Sequence, residues 1–319
     1  VLLDTTTITT TTNLPSPHAA PPDELAPVCV LIAATTTTTT TTIKVALKAS
    51  LVAATTWNVL LLTKMGDTAS TVAFGAHLDS VSAGPGGNDD ASGSAALLEV
   101  ATKLAESDDI LGNIKNRIMF GWWGAEEIGL VGSKYFVRNA GNTGNPVRLS
   151  DILLYNNADM VASPNFFRGV GKASNSLRVP AEVKEASGRA GNVIANFFEQ
   201  QLLLPWEWDM LVSGSDFASF FAANIPATDL FTGTSSRKTS QQAEKYGGSA
   251  GVPYDSCYHR SCDVYPTNVE QQCHYNYTAA AAATVQFFGE LDDVRDYLYG
   301  GATTATAAAG GGGGIGVGG

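Results

Sequence analysis

Gly75–Ser94, GAHLDSVSAGPGGNDDASGS, follows an apolar alternating run that begins at Thr71 and precedes a stretch of helical periodicity, Ala91–Ala105. It therefore reads as strand end, loop and helix start. His77 and Asp79 fall where the strand ends, and Asp89 lies in the Gly-rich loop just before the helix. A second stretch has the same form. Arg117–Trp123 reads as a buried strand, and GWWGAEEIGL, Gly121–Leu130, carries it into a turn with two adjacent carboxylates, Glu126 and Glu127. Loops at strand ends are where α/β proteins place their chemistry. Imidazole and carboxylate donors suit Zn²⁺, and a carboxylate shared by two ions is how two-metal hydrolytic sites hold a nucleophilic water. Of two neighbouring glutamates pointing in different directions, one can bind metal while the other handles protons.

Working outward, Ile43–Val52 and Trp57–Leu62 read as strands, Glu127–Arg138 as a helix, and Asp151–Asn156 as a buried strand ending near Asp159. A helical pattern opens at Pro180, carries Gly188 and Gly191, and stops at Pro205. SGSDFASFFAANIPATDLFTG, from Ser213, reads as loop, short helix and a strand to Phe231, and Tyr275–Leu298 as a last, Ala-rich helix. Strands and helices alternate without internal repeats. The expected class is α/β, a three-layer arrangement with a central, mostly parallel mixed β-sheet flanked by helices. Ser92 or Ser94 is the expected cap of the helix after the first loop. Residues 1–56 contain threonine runs and a Pro-rich tract, and 301–319 is Gly- and Ala-rich; such biased tracts rarely build a core. That leaves 57–300 as the expected catalytic domain.

The chain has 319 residues, 44% hydrophobic and 15% charged, with a formal net charge of −11. This is enough for one large domain, and the lack of a Lys/Arg cluster argues against nucleic acid as a partner. No apolar stretch has membrane-spanning length. We expect a monomer, with the acidic balance suiting a ligand that carries a free ammonium group. Four cysteines stand at 29, 257, 262 and 273, and one acceptor sequon at Asn276-Tyr-Thr.

The segments HLDSV, NDDASGS, WWGAEE, GSKYFV, NNADM, SDFASF, LFTG and CYHRSCD, in this order between Trp57 and about Leu298, resemble those of the secreted di-zinc aminopeptidases of peptidase family M28, in the actinomycete and fungal branch. The resemblance implies two zinc ions. His77 and Asp159 would serve one, Glu127 and His259 the other, and Asp89 would bridge them. It also implies Glu126 as general base, Asp79 as the acceptor that orients the His77 imidazole, and Tyr258 as a stabiliser of the oxyanion. A cis peptide after Asp89 and a disulfide between Cys257 and Cys262 belong to the same pattern, as do secretion and peptide substrates with a free N-terminus. Cys29 and Cys273 match nothing in the pattern; they could pair with each other or remain two thiols.

Two departures stand out. Gly214 occupies the place of an arginine found in close relatives just before Ser215-Asp216, and Gly87 replaces a commoner apolar residue. The resemblance implies a preference for large apolar N-terminal residues, with a pocket expected from the aromatic and apolar side chains near Ser215–Phe221, Phe231 and Tyr246. Two other functions share the fold, a mono-zinc glutaminyl cyclase and a non-catalytic receptor-type domain. Retention of both sets of donors together with Glu126 argues against each.

Overall fold

The computed structural model describes residues 55–142 and 145–300, together with four two-residue strand fragments among the first 40 residues. The strand expected at Ile43–Val52, Cys29 and the tail from Gly301 lie outside the described residues. The smaller of two compact units, Thr10–Thr56, contains the pairings Thr12–Asn13 with Thr55–Thr56 and Thr35–Thr36 with Thr39–Thr40. The larger, Val1–Thr9 with Trp57–Gly319, carries the sheet and the site.

Seven strands of this unit are β1 (Val59–Thr63), β2 (Asp67–His77), β3 (Asn116–Trp123), β4 (Ile152–Ala158), β5 (Gly169–Ala173), β6 (Glu207–Leu211) and β7 (Ala227–Phe231). With Leu3–Asp4 at one edge they form a mixed sheet in the order Leu3–Asp4, β1, β3, β2, β4, β7, β5, β6. The middle strands β3, β2, β4 and β7 run parallel, while β1 and β5 are antiparallel to β3 and β7. Every residue of β3 and β4 is buried, as expected for parallel strands covered on both faces.

Helices α1 (Ala91–Glu106), α2 (Asp108–Asn113), α4 (Ala181–Asn196), α7 (Gln271–Glu290) and α8 (Val294–Tyr299) build one covering layer. Its core gathers Val72, Phe74, Leu97, Leu104, Phe120, Ile194 and Phe288. On the opposite face α3 (Val131–Asn139) and α5 (Phe217–Phe221) enclose Met119, Trp123, Phe136, Tyr155 and Phe220. Tyr155 stacks on Phe220 at 3.8 Å between ring centres, and its hydroxyl accepts the Trp123 indole N–H at 2.9 Å. Gly75 makes that pair possible, since a Cβ there would lie 2.3 Å from the Tyr155 hydroxyl. A further helix, α6 (Ser240–Tyr246), has a capping box between Thr239 and Gln242. Among the described residues no helix is long and apolar enough to cross a membrane.

The chain passes from β2 to β3 on one side of β2 and then to β4 on its other side. Strand order thus switches at β2, and the crevice at such a switch, outside the carboxyl ends of the strands, is where open α/β sheets place ligands. His77 ends β2, Glu126 and Glu127 follow β3, and Asp159 follows β4.

Several elements differ from their sequence reading. The helix expected from Glu127 starts at Val131, because Gly129 and Leu130 both donate their N–H to the Glu126 carbonyl and close a turn that presents the two glutamates. The last helical pattern divides at Leu291 into α7 and α8. Asp90, rather than Ser92 or Ser94, caps α1 by accepting the Gly93 N–H. Both serines are engaged elsewhere, Ser92 on the Asn88 carbonyl and Ser94 on the His77 carbonyl. Asn276 of the sequon lies inside α7 and is 7% exposed, so the folded chain does not offer it to a glycosyltransferase.

Candidate metal centre

Two groups of side chains meet in the crevice and share one member: His77, Asp89 and Asp159 form the first, and Asp89, Glu127 and His259 the second. The two Asp89 oxygens divide between the two imidazoles. Oδ1 lies 3.1 Å from His77 Nε2, and Oδ2 lies 3.1 Å from His259 Nε2. Asp159 stands 3.6 Å from His77 Nε2, and Glu127 3.0 Å from His259 Nε2. The five positions expected as ligands are thus gathered into the expected two sets.

Their burial makes the grouping costly unless positive charge joins it. Burial, and next the Asp89 charge, pushes Glu127 up to about 7, and its Oε1 is buried with no hydrogen-bond partner among the described residues. Glu126 is pushed up to about 9, first by burial and then by Asp159. His77 would be lowered by burial alone, yet the Asp159 carboxylate beside it carries it well above the ordinary imidazole range. Cations among these donors would reverse each of these tendencies. Nitrogen and oxygen donors, with one carboxylate facing both ways, fit a pair of ions of the zinc type.

The surroundings hold the donors in place. Asp79 does so differently from expectation: its carbonyl, not its carboxylate, faces His77 Nδ1 at 2.9 Å. Its carboxylate, 3.7 Å from that nitrogen, instead accepts the N–H groups of Glu126 and Glu127 at 2.8 and 3.2 Å. Asp79 therefore orients three site residues at once. The Asp89–Asp90 peptide is cis, and a disulfide joins Cys257 to Cys262 around Tyr258 and His259, both as the resemblance implied. Tyr258 stacks on His259 with ring centres 3.8 Å apart. Ala125, Met160 and His259 all have left-handed backbone. Such strained residues cluster where a site over-determines the chain. Cys273 is buried and has no disulfide partner among the described residues.

Sequence reasoning missed the supports behind this layer. Asp90 accepts the N–H groups of His77 and Met160, tying β2 to the segment after β4. Asp263, 2% exposed, accepts the N–H groups of Asn88 and Asp89 at 2.7 and 3.1 Å and is met by Asn268. Asp255 accepts from Asn88, Cys257 and Asn268, linking the loops that carry Asp89 and His259. The NDD run was a legible signal for Asn88 and Asp90. Asp255 and Asp263 lie 166 and 174 positions beyond Asp89 in the chain, and nothing local marks them. Asp263→Ala should leave two buried amides unpaired and cost about 2–4 kcal/mol of stability. Denaturant unfolding of the metal-loaded protein checks this, and an unchanged midpoint would show that the Asp89 loop holds itself.

The cavity over the centre is about 600 Å³. Ser215, Phe217 and Phe231 line it as expected, whereas Tyr246 does not, because α6 places that ring against Phe166 and Arg168.

Comparison with known proteins agrees with this fold. A leucine aminopeptidase 2 of Arthroderma otae is 37% identical over 241 residues, 74% of this chain and 46% of its own length. An aminopeptidase of Pseudomonas aeruginosa is 42% identical over 211 residues, 65% of this chain and 37% of its own. The chain spans less than half the length of each. Among solved structures, the Legionella pneumophila LapA aminopeptidase matches with a TM-score of 0.55 at 22% identity, over 74% of this chain and 56% of that one. BSAP, a zinc aminopeptidase from Bacillus subtilis, matches at 0.52 and 23%, over 72% and 49%. The sequence model of peptidase family M28 matches residues 58–285, which takes in the whole centre, and the chain belongs to that family.

Proposed function

We propose that this chain is an aminopeptidase that removes N-terminal residues from peptides with the help of two zinc ions, one held by His77, Asp159 and Asp89 and the other by Glu127, His259 and Asp89. The observation that carries the reading is the two-sided placement of Asp89, with one oxygen 3.1 Å from each imidazole. Zinc at these positions would polarise the scissile carbonyl and make a water acidic enough to attack it at neutral pH.

The chain's own residues do the rest. Glu126, 8% exposed, faces the cavity from a backbone held by Asp79; it takes the proton of the attacking water and delivers it to the leaving amine. Tyr258, stacked on His259 at the cavity wall, offers its hydroxyl to the negative charge that develops on the carbonyl oxygen. Burial, the largest influence on that hydroxyl, disfavours loss of its proton, so it stays a donor. An extracellular location belongs to the same proposal and is supported by the Cys257–Cys262 disulfide.

Metal content by mass spectrometry, read beside hydrolysis of a panel of aminoacyl amides, tests the proposal. Two zinc ions per chain and turnover are expected; a metal-loaded protein without turnover on any aminoacyl amide would overturn it. N-acetylation of the same substrates should slow hydrolysis by at least about 10²-fold, because a site built around a substrate amine rejects the analogue that lacks it. Equal rates on free and acetylated peptides would point to an endopeptidase.

A further inference from the structure

The cavity is lined by six carboxylates, Asp89, Glu126, Glu127, Asp159, Asp209 and Asp229, and by no lysine or arginine among the described residues. Four of them belong to the centre. We propose that the other two, Asp209 and Asp229, form a cation subsite that receives the side-chain ammonium or guanidinium of an N-terminal lysine or arginine. This rests on the aminopeptidase reading and replaces the apolar preference that the resemblance implied.

Asp229 is the main observation. It is 2% exposed, it lines the cavity, and its Oδ1 is buried with no hydrogen-bond partner among the described residues. A carboxylate so placed is costly to bury unless a charged or donating group completes it. Burial, followed by the charges of Asp159 and Asp209, pushes Asp229 well above the ordinary carboxyl range. A cation arriving beside it restores the ionised form.

Sheet register sets the position. Asp229 on β7 pairs with Asn157 on β4, two residues before Asp159 along a parallel strand. At about 3.3 Å per residue this puts it roughly 7 Å deeper than the centre, a depth that suits the stem of a lysine or arginine whose α-amine stays near Glu126 and Asp159. On the other side, Gly171 of β5 lies between Asp229 and Asp209, which is its partner on β6. A Cβ at Gly171 would come within 2.5 Å of the Asp229 Cβ, so no side chain separates the two aspartates. Met160, Leu211, Phe217 and Phe231 line the same cavity and offer apolar surface to the methylenes. Gly214 in the lining adds no positive charge that would oppose such a ligand.

The test is steady-state kinetics of the metal-loaded enzyme on lysyl, arginyl, leucyl and methionyl amides with one common leaving group, beside calorimetric binding of lysinamide and leucinamide. In the unaltered protein kcat/KM for lysine and arginine should exceed that for leucine by at least ~10-fold, and Asp229→Asn should lower the Lys/Leu ratio at least ~10-fold. Asp209→Asn, at a partly exposed position, should lower the same ratio in the same direction and carries the test if the Asp229 variant does not fold. A preference for leucine, or a ratio unmoved by both variants, overturns the subsite. If no amide is hydrolysed the aminopeptidase reading falls. Calorimetry then still decides the subsite: lysinamide binding no tighter than leucinamide would overturn it, and at least ~10-fold tighter binding, lost in Asp229→Asn, would uphold it.

Discussion

Asp89→Ala should empty both metal positions together. Among the described residues Asp89 alone belongs to both groups, one oxygen facing each imidazole, so truncation removes a donor from each set and the negative charge lying between them. The loss should exceed the roughly 10–100-fold that removal of a mere supporting partner costs in metal affinity. The fold should survive, because the loop is held through the N–H groups of Asn88 and Asp89 on Asp263 and through Asp90, none of which uses the Asp89 carboxylate. Glu127→Ala is the control, since Glu127 belongs to one set only and its loss should weaken one position while leaving the other. Metal stoichiometry after dialysis separates the cases. Two ions retained by the Asp89 variant would disprove the bridge.

The parts that could be read from the chain are those whose local pattern agrees with their place in the fold. Thr71–Gly75, Arg117–Trp123 and Asp151–Asn156 read as strands because central parallel strands are buried on both faces and are therefore largely apolar. Of the five converging residues, His77, Asp89 and Glu127 stand out at strand ends and in a Gly-rich loop, whereas Asp159 and His259 are assigned only by the family resemblance. By contrast β5, GVGKA, and β6, EWDML, were not recognised. Two glycines and a lysine in one, and an aspartate turned to a cavity in the other, weaken the strand pattern, as expected where a site overrides local preference. The role of Asp79 was legible only in part. Its spacing from His77 was visible, but the reach of its carboxylate to the Glu126 and Glu127 amides depends on how β2 and β3 pair, which one strand cannot show.

Glu126→Ala should keep both ions and lose most turnover. Metal retention is expected because neither group of converging donors includes Glu126, while its backbone N–H stays anchored on the Asp79 carboxylate at 2.8 Å and keeps Glu127 in place. Turnover should fall at least ~10²-fold, the lower end of what a positioned acid–base group supplies, because the attacking water then has no proton acceptor and the leaving amine no donor. Asp159 and Asp89 do not replace it, since each already faces an imidazole. The variant Glu126→Gln sharpens the test. It preserves the side-chain shape in a nearly closed position, 8% exposed, so a loss as large as that of the alanine variant assigns the effect to proton transfer. Near-normal turnover in Glu126→Gln would mean that shape alone matters at 126. Loss of one ion from either variant would make Glu126 a ligand and leave the proton to be carried by another group.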